Sequence, residues 1–209
     1  MARALSTIAF TPAVRARQTE EGSREAYAPL DLPEADSGDR LGPAEAAFIS
    51  ERDGFYQATI SETGWPYVQF RGGPRGFLKV LDEKTLAYAD FRGNRQYISS
   101  GNLTENDRVS LILMDYPNRR RLKVWARARQ IDAKDDPNLI ATLREDGYRG
   151  LPERAVILTI EALDWNCPQH IPKRYTLEEL APDILALQNR IAELEVENAE
   201  LKDFVKPTP

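Results

Sequence analysis

The sequence predicts a mainly β protein, an antiparallel barrel or sandwich with flanking helices and a separate C-terminal helix. Short runs rich in β-forming residues recur about every ten residues from Phe55 onward, with turn residues between them. The stretch Arg121–Arg129 alternates polar and apolar side chains, which is the period of a strand with one buried face. From Leu180 onward, apolar residues recur at alternating spacings of four and three, which indicates a helix with one apolar stripe.

Composition excludes several classes of protein. The 209 residues include 33 acidic and 28 basic ones, for a net charge of −5, and 42% are hydrophobic. This mix is ordinary for a globular chain and excludes a wholly disordered or collagen-like one. No apolar run approaches the roughly 18 residues that span a bilayer, and the start of the chain lacks the apolar core of a secretory signal. Cys167 is the only cysteine, so an intrachain disulfide is excluded and a cytoplasmic location is expected.

The elements follow in order along the chain. Residues 1–43 are rich in Pro and Gly and predict an N-terminal arm, with a helical turn near Pro12. A short helix is predicted over 43–52, and further helices near 97–103 and over 135–145. Seven strands are predicted, over residues 55–61, 66–71, 77–81, 86–91, 109–114, 121–131 and 155–160. The expected organisation is an arm (1–43), a barrel domain (44–175) and a C-terminal helix (176–209).

The C-terminal helix carries a heptad pattern. Its a positions are Ile184, Ile191, Asn198 and Val205, and its d positions are Leu187, Leu194 and Leu201. A single Asn at an a position is typical of a parallel two-stranded coiled coil. The alternative is a helix that packs its apolar stripe on its own domain, and the pattern leaves both interpretations open.

Positive charge is concentrated in the middle of this acidic chain. The segment Arg71–Arg129 has 13 basic and 6 acidic residues, a net charge of +7. Such a segment indicates an anionic ligand. A small anion is favoured over nucleic acid, because a nucleic-acid-binding domain is usually basic as a whole.

Two parts of this basic segment are candidate anion sites. The strand Arg121–Arg129 places four cations and one indole on one face, where guanidinium groups can bind phosphate and Trp125 can stack on a planar ring. The alternative is an outer barrel face exposed to solvent. The stretch Arg92–Ile98 places a glycine and Arg95 just before a predicted helix, whose first N–H groups can bind an anion. The same pattern also occurs as ordinary helix capping.

The only thiol and the only imidazole are three residues apart, at Cys167 and His170. A zinc site needs about four ligands, and the chain offers no second pair, so no metal site is expected. The simplest interpretation is a packed loop with a free thiol. His170 remains the one candidate for a catalytic or ligand-donating imidazole.

The stretch Phe55–Arg129 resembles the FMN-binding split-barrel family of pyridoxamine 5'-phosphate oxidase-like proteins. The resemblance rests on several motifs in order: the hairpin with Gln69 and Arg71, the strand with Lys79, the R-G-N-R-Q stretch from Arg92 and the basic strand from Arg121. It implies a six-stranded antiparallel Greek-key split barrel and a homodimer with FMN at the subunit interface. It also extends to the loop that contains His170.

The resemblance implies a cofactor-binding role for specific positions. The expected FMN-binding residues are Gln69, Arg71, Lys79, Ala89, Asp90, Asn94, Arg95, Gln96 and Arg121. Two of these depart from the family pattern: Asp90 replaces a hydroxyl donor, and Gln96 replaces a cation. Residues that would bind pyridoxal phosphate are not recognisable.

The functional expectation is an FMN-dependent oxidoreductase that transfers hydride or electrons. The donor would be a reduced nicotinamide or a small organic substrate, and the acceptor would be a molecule such as oxygen. The alternatives are a non-catalytic flavin- or haem-binding module and a dimeric scaffold that acts through its C-terminal helix. No membrane partner is expected, and nucleic acid is disfavoured.

Overall fold

The computed structural model describes residues 3–32, 37–165 and 168–205. Within these ranges the chain forms two compact units, one that runs up to Asp115 and continues over Arg119–His170, and the other made of Tyr116–Asn118 and the residues from Ile171 onward. The first unit contains all seven strands, and the second contains the long C-terminal helix. The division into an arm, a barrel domain and a helix stays a prediction.

The strands of the first unit are β1 (Gly54–Ile60), β2 (Pro66–Gly72), β3 (Lys79–Val80), β4 (Thr85–Phe91), β5 (Arg108–Asp115), β6 (Arg120–Asp132) and β7 (Pro152–Trp165). They form one antiparallel sheet in the order β2-β1-β5-β6-β7-β4-β3. The two strands at the ends of this order, β2 and β3, do not pair with each other, so the sheet is an open barrel. The split barrel implied by the resemblance is therefore confirmed, with seven strands rather than six.

Short helices flank the sheet, and their termini follow local capping rules. In α4 (Pro43–Ser50), Pro43 occupies the first turn and the Glu45 carboxylate accepts a hydrogen bond from the Gly42 N–H at 2.9 Å. In α6 (Pro137–Leu143), the Asp136 carboxylate accepts one from the Leu139 N–H at 2.9 Å. The α-helices of this unit are α1 (Ala4–Ala9), α2 (Pro12–Glu20), α3 (Arg24–Tyr27), α4, α5 (Ile98–Glu105) and α6, and a 3-10 helix spans Ala28–Asp31.

The barrel interior is filled by the inward residues of each strand. On β6, Leu122, Val124, Ala126 and Ala128 are buried while the intervening side chains are partly or fully exposed, as the alternation predicted. One polar pair lies within this core, where the Tyr88 hydroxyl donates to Gln57 Oε1 at 2.8 Å. Burial raises the pKa of Tyr88, so its hydroxyl stays protonated and available as a donor.

The second unit is dominated by α7 (Leu177–Val205). Pro182 lies inside this helix, close to its start. The side chains of the heptad positions from Ile184 to Leu201 are exposed. Among the described helices, none is both long enough and apolar enough to cross a membrane.

Candidate functional site

A carboxylate held between two guanidinium groups marks the gap in the barrel. Asp90 on β4 accepts hydrogen bonds from Arg71 Nη1 on β2 at 2.6 Å and from Arg154 Nη1 on β7 at 2.9 Å. All three side chains are largely buried, with 14% of Arg71, 13% of Arg154 and 9% of Asp90 exposed. Since β2 and β4 share no backbone pairing, the Arg71–Asp90 ion pair bridges the gap through side chains.

Strand periodicity explains how these three residues meet. On β2, Gln69 and Arg71 are at least partly buried, whereas the alternate residues Val68 and Phe70 are exposed. On the neighbouring strands β4 and β7, Asp90 and Arg154 stand directly opposite each other in register. The arginine of one sheet edge thus reaches an acid–base pair on the other side of the gap.

The loop from β4 to α5 has an unusual backbone. Arg95 and Tyr97 both have positive φ angles, 63° and 54°, although neither is glycine. A left-handed conformation costs a residue with a Cβ atom roughly 1 kcal/mol or more, and such strain concentrates at functional sites. Inside this loop, the Asn94 side chain accepts a hydrogen bond from the Gln96 N–H at 3.1 Å. The loop ends at Tyr97, and no side chain caps the N-terminus of α5.

Side-chain hydrogen bonds fix α5 to the barrel. Ser99 Oγ donates to Gln69 Oε1 at 3.0 Å, and Ser100 Oγ donates to Gln130 Oε1 at 2.7 Å. One turn later, Asn102 Nδ2 donates to Thr59 Oγ1 at 3.0 Å. The helix terminus, whose first N–H groups have no partner within the helix, is therefore held at a fixed place beside β2.

Glu153 connects this loop to the buried cluster. It accepts hydrogen bonds from Arg92 Nε at 2.8 Å and from the Tyr97 hydroxyl at 3.3 Å, and it lies 3.5 Å from Arg154 Nη2. The Arg154 guanidinium also lies 5.2 Å from the centre of the Tyr97 ring. The hydrogen bond from Arg92 holds the pKa of Glu153 below its usual value, so the group is ionised at neutral pH.

These elements line a cleft that is open to solvent. The ionisable side chains of its lining other than tyrosine are Arg71, Asp90, Arg95, Glu153 and Arg154, with a net charge of +1. Arg71 Nε is buried there without a hydrogen-bond partner among the described residues. An unsatisfied guanidinium N–H in a cationic cleft is suited to an anionic ligand such as a phosphate.

Most of the predicted cofactor residues meet at this cleft. Its lining includes Gln69, Arg71, Asp90, Asn94, Arg95 and Gln96. Ala89 borders an adjoining cleft that shares Gln69, Arg71 and Asp90 with the first. That these residues bind a cofactor stays a prediction.

The other predicted residues lie elsewhere. The Lys79 ammonium forms an ion pair with Glu145, and Lys79 is not part of the cleft lining. Arg121 stands opposite Met114, near the start of β6, while α5 contacts Gln130 near the end of that strand. His170 lies on an exposed turn with a φ of 61° and does not line the cleft. Cys167 falls outside the described residues.

The basic face of β6 also lies away from the cleft. Arg127 bonds to Asp107 at 3.0 Å and to Glu161 at 3.1 Å, and Lys123 lies 3.7 Å from Asp164. The cations of this strand that form these pairs are therefore part of an ion-paired, partly exposed surface. No group of three or more potential metal ligands occurs in the portion of the chain that the structure describes.

Sequence reasoning missed Glu153, Arg154, Tyr97 and Ser99. The first two begin β7, and only the register between β4 and β7 brings Arg154 to Asp90. A strand pattern shows which face a residue takes, but it does not show which strand lies beside it. A positive φ at Tyr97 carries no sequence signal, because aromatic residues rarely adopt it.

Several solved structures are similar to this chain. HupZ of Group A Streptococcus is 15% identical, with 65% of this chain and 99% of that chain covered and a TM-score of 0.46. An FMN-binding protein of Syntrophomonas wolfei is 12% identical, with coverages of 74% and 95% and a TM-score of 0.46. HutZ of Vibrio cholerae, a haem storage protein, is 18% identical, with coverages of 60% and 94% and a TM-score of 0.39.

The sequence itself assigns the family. No curated protein matches the chain. However, the family model described as pyridoxamine 5'-phosphate oxidase matches residues 41–163, which is more than half of the chain. The matched range contains β1 to β6 and nearly all of β7, together with every residue of the cationic cleft. This chain therefore belongs to the pyridoxamine 5'-phosphate oxidase family.

Proposed function

We propose that the protein binds FMN in the cleft beside the barrel gap. The observation that carries this proposal is the pair of guanidiniums around Asp90. Each uses one N–H group on the carboxylate, and Arg71 Nε remains unsatisfied. Because a guanidinium has five N–H donors, both arginines keep donors for a phosphate. Family membership supports the same ligand.

The remaining side chains of the cleft supply complementary contacts. Arg95 on the exposed loop would add a third cation to the phosphate, and the N-terminus of α5 would add backbone N–H donors. The amides of Gln69, Asn94 and Gln96 suit the ribityl hydroxyls and the polar edge of the ring. Lys79 would join this set if its ion pair with Glu145 exchanged for one with the cofactor.

The proposed activity is an oxidoreductase reaction. When bound, the flavin would supply the capacity to accept and release hydride or electrons. The donor would be a reduced nicotinamide or a small organic substrate, and the acceptor a molecule such as oxygen. In this scheme the protein's own residues bind the phosphate and orient the ring. The proposed location of the protein is the cytoplasm.

One observation favours a second candidate, a non-catalytic flavin-binding module. The side chains that line the cleft include no imidazole and no thiol, and the acid group whose pKa is perturbed, Glu153, is held ionised by Arg92. Proton transfer near neutral pH has no obvious donor there. Steady oxidation of NADH or NADPH that depends on added FMN would support the oxidoreductase over the module.

The proposed active unit is a homodimer that shares the flavin. Three cross-strand pairs on the outer face of β1 and β2 are apolar: Tyr56 with Phe70, Ala58 with Val68 and Ile60 with Pro66. Val68 and Phe70 are more than half exposed in the single chain. A contiguous apolar sheet face of this kind is typical of a protein–protein contact, and a second copy of the barrel is the proposed partner.

The test of flavin binding combines a spectrum with matched variants. Protein purified with FMN should be yellow, and the heat-released cofactor should have the mass of FMN. Arg71→Ala, Lys79→Ala and Arg95→Ala should each weaken FMN binding about tenfold to a hundredfold, which corresponds to about 1.4 to 2.7 kcal/mol. Arg119→Ala, a cation outside the cleft lining, is the control and should leave the affinity unchanged. Colourless protein that takes up no added FMN would contradict the proposal.

A further inference from the structure

The apolar stripe of α7 is exposed along its whole described length. The exposed fractions range from 42% for Ile184 to 65% for Leu187, with Ile191, Leu194 and Leu201 in between. These residues lie on one side of the helix, because they repeat every seven positions as a and d. A helix of 29 residues with such a stripe requires a partner of matching shape.

The residue types on this stripe favour a pair over larger bundles. Beta-branched Ile occupies the a positions at Ile184 and Ile191, and Leu occupies the described d positions. This combination favours two parallel strands, whereas Ile at both positions favours three or four. Asn198 at an a position adds a polar group that is satisfied best by the same residue of a parallel, in-register partner.

Charges beside the stripe select the same arrangement. With Ile184 at a, the g positions Arg190 and Glu197 precede the e positions Glu195 and Lys202 by five residues. In a parallel pair, each g residue faces the e residue of the next heptad on the other helix. Arg190 then meets Glu195, and Glu197 meets Lys202, so both contacts join opposite charges.

We infer that α7 forms a parallel, in-register, two-stranded coiled coil with α7 of a second copy of this chain. The contact goes beyond flavin binding, since it needs none of the cleft residues. Within a single helix, Arg190 contacts Glu193 at 2.8 Å and lies 3.9 Å from Glu197. These exposed pairs can exchange for the contacts between helices at little cost. The coiled coil would thus select a second copy of this chain as the partner.

Cysteine cross-linking in the full-length chain tests this arrangement. In a Cys167→Ser background, Leu187→Cys and Leu201→Cys should each form a disulfide-linked dimer on mild oxidation. A disulfide needs Cα atoms within roughly 7 Å. In a parallel in-register pair, each of the two positions lies beside the same position of the partner helix. Asn189→Cys, on the opposite face of the helix, is the matched control and should give at least tenfold less cross-linked dimer.

The outcomes separate the possible partners. An antiparallel pair would leave each single variant uncrosslinked and would join the Leu187→Cys chain to an Asn198→Cys chain in a mixture, because the a positions of one helix then face the d positions of the other. A helix that packs on its own domain would give no cross-link in either case. Both of these results would overturn the proposal, and neither would bear on FMN binding.

A second variant tests the role of the polar a position. Asn198→Leu should strengthen association but relax its register and number of strands, because the buried polar group no longer selects one arrangement. Sedimentation of the full chain should then show species larger than those of the parent. An unchanged distribution, with the same helix content, would contradict the assignment of Asn198 to the interface.

Discussion

At the scale of single residues, Asp90 has two effects on the cleft. Its carboxylate neutralises part of the positive charge that an anion would meet, and it also holds Arg71 and Arg154 in fixed positions. Positioning matters more here, because a guanidinium already placed by a buried partner loses less side-chain entropy when a ligand binds. Asp90 is therefore best described as a positioning residue.

We expect Asp90→Asn to destabilise the protein without cofactor by about 3 kcal/mol, because it leaves two buried guanidiniums without their anion. Chemical unfolding curves measure this change. Asp135→Asn is the control, since Asp135 is exposed and its change should stay within about 0.5 kcal/mol. Equal stabilities of the two variants would show that the ion pairs across the gap contribute nothing.

The stability of the folded protein should depend on pH in part because Glu153 titrates. The hydrogen bond from Arg92 lowers its pKa in the folded state. An acid group with a lowered pKa stabilises the folded state when the pH is above its pKa in the unfolded chain, which is near 4.5. This stabilisation is lost as the pH falls through its pKa in the folded state. Melting temperatures measured from pH 6 to pH 3 should therefore fall less for Glu153→Gln than for the parent. Parallel curves would contradict this assignment.

At the scale of elements, the loop before α5 combines backbone strain with several side-chain contacts. Tyr97 is left-handed, yet its hydroxyl reaches Glu153 and its ring lies beside Arg154. Arg119, just before β6, has nearly the same φ of 55°, but no ion pair or hydrogen bond of its side chain is found in the described structure. Side-chain contacts thus offset the strain of the left-handed backbone at Tyr97 but not at Arg119.

We expect Arg119→Gly to raise the free energy of unfolding by about 1 kcal/mol, because glycine adopts positive φ without strain. Tyr97→Gly removes the same strain but also the contacts with Glu153 and Arg154, so it should not stabilise the protein. Thermal unfolding of the two variants checks the comparison. A stabilising Tyr97→Gly would indicate that those contacts contribute little.

Helices and strands could be predicted from the sequence where their apolar residues repeat at a regular spacing. Each predicted strand overlaps an observed one, since alternation fixes the buried face. The helix α1 was missed because Ala4–Ala9 is too short to show periodicity. Six cleft residues were found through motif order, whereas Arg154 was missed because its place depends on strand pairing between segments distant in sequence.

At the scale of the whole molecule, the proposed barrel contact has a direct test. Val68→Lys places a charge on the exposed apolar face of β1 and β2, which should break the contact and weaken FMN binding at least tenfold if the flavin is shared. Leu81→Lys is the matched control, because Leu81 is about half exposed and lies outside that face. Titration with FMN measures the affinity, since the coiled coil of α7 can hold two chains together whether or not the barrel contact breaks. A variant with unchanged FMN affinity would contradict the proposed interface.

The open barrel also has a consequence for aggregation. A sheet that does not close leaves two edge strands with unpaired backbone groups, which can recruit other chains. One edge, β3, is only two residues long and offers little to extend. The other, β2, has seven residues and exposed apolar side chains, and it begins with Pro66. Arg71, near the far end of that edge, anchors it across the gap to β4, so losing this arginine would free a template for intermolecular strand pairing.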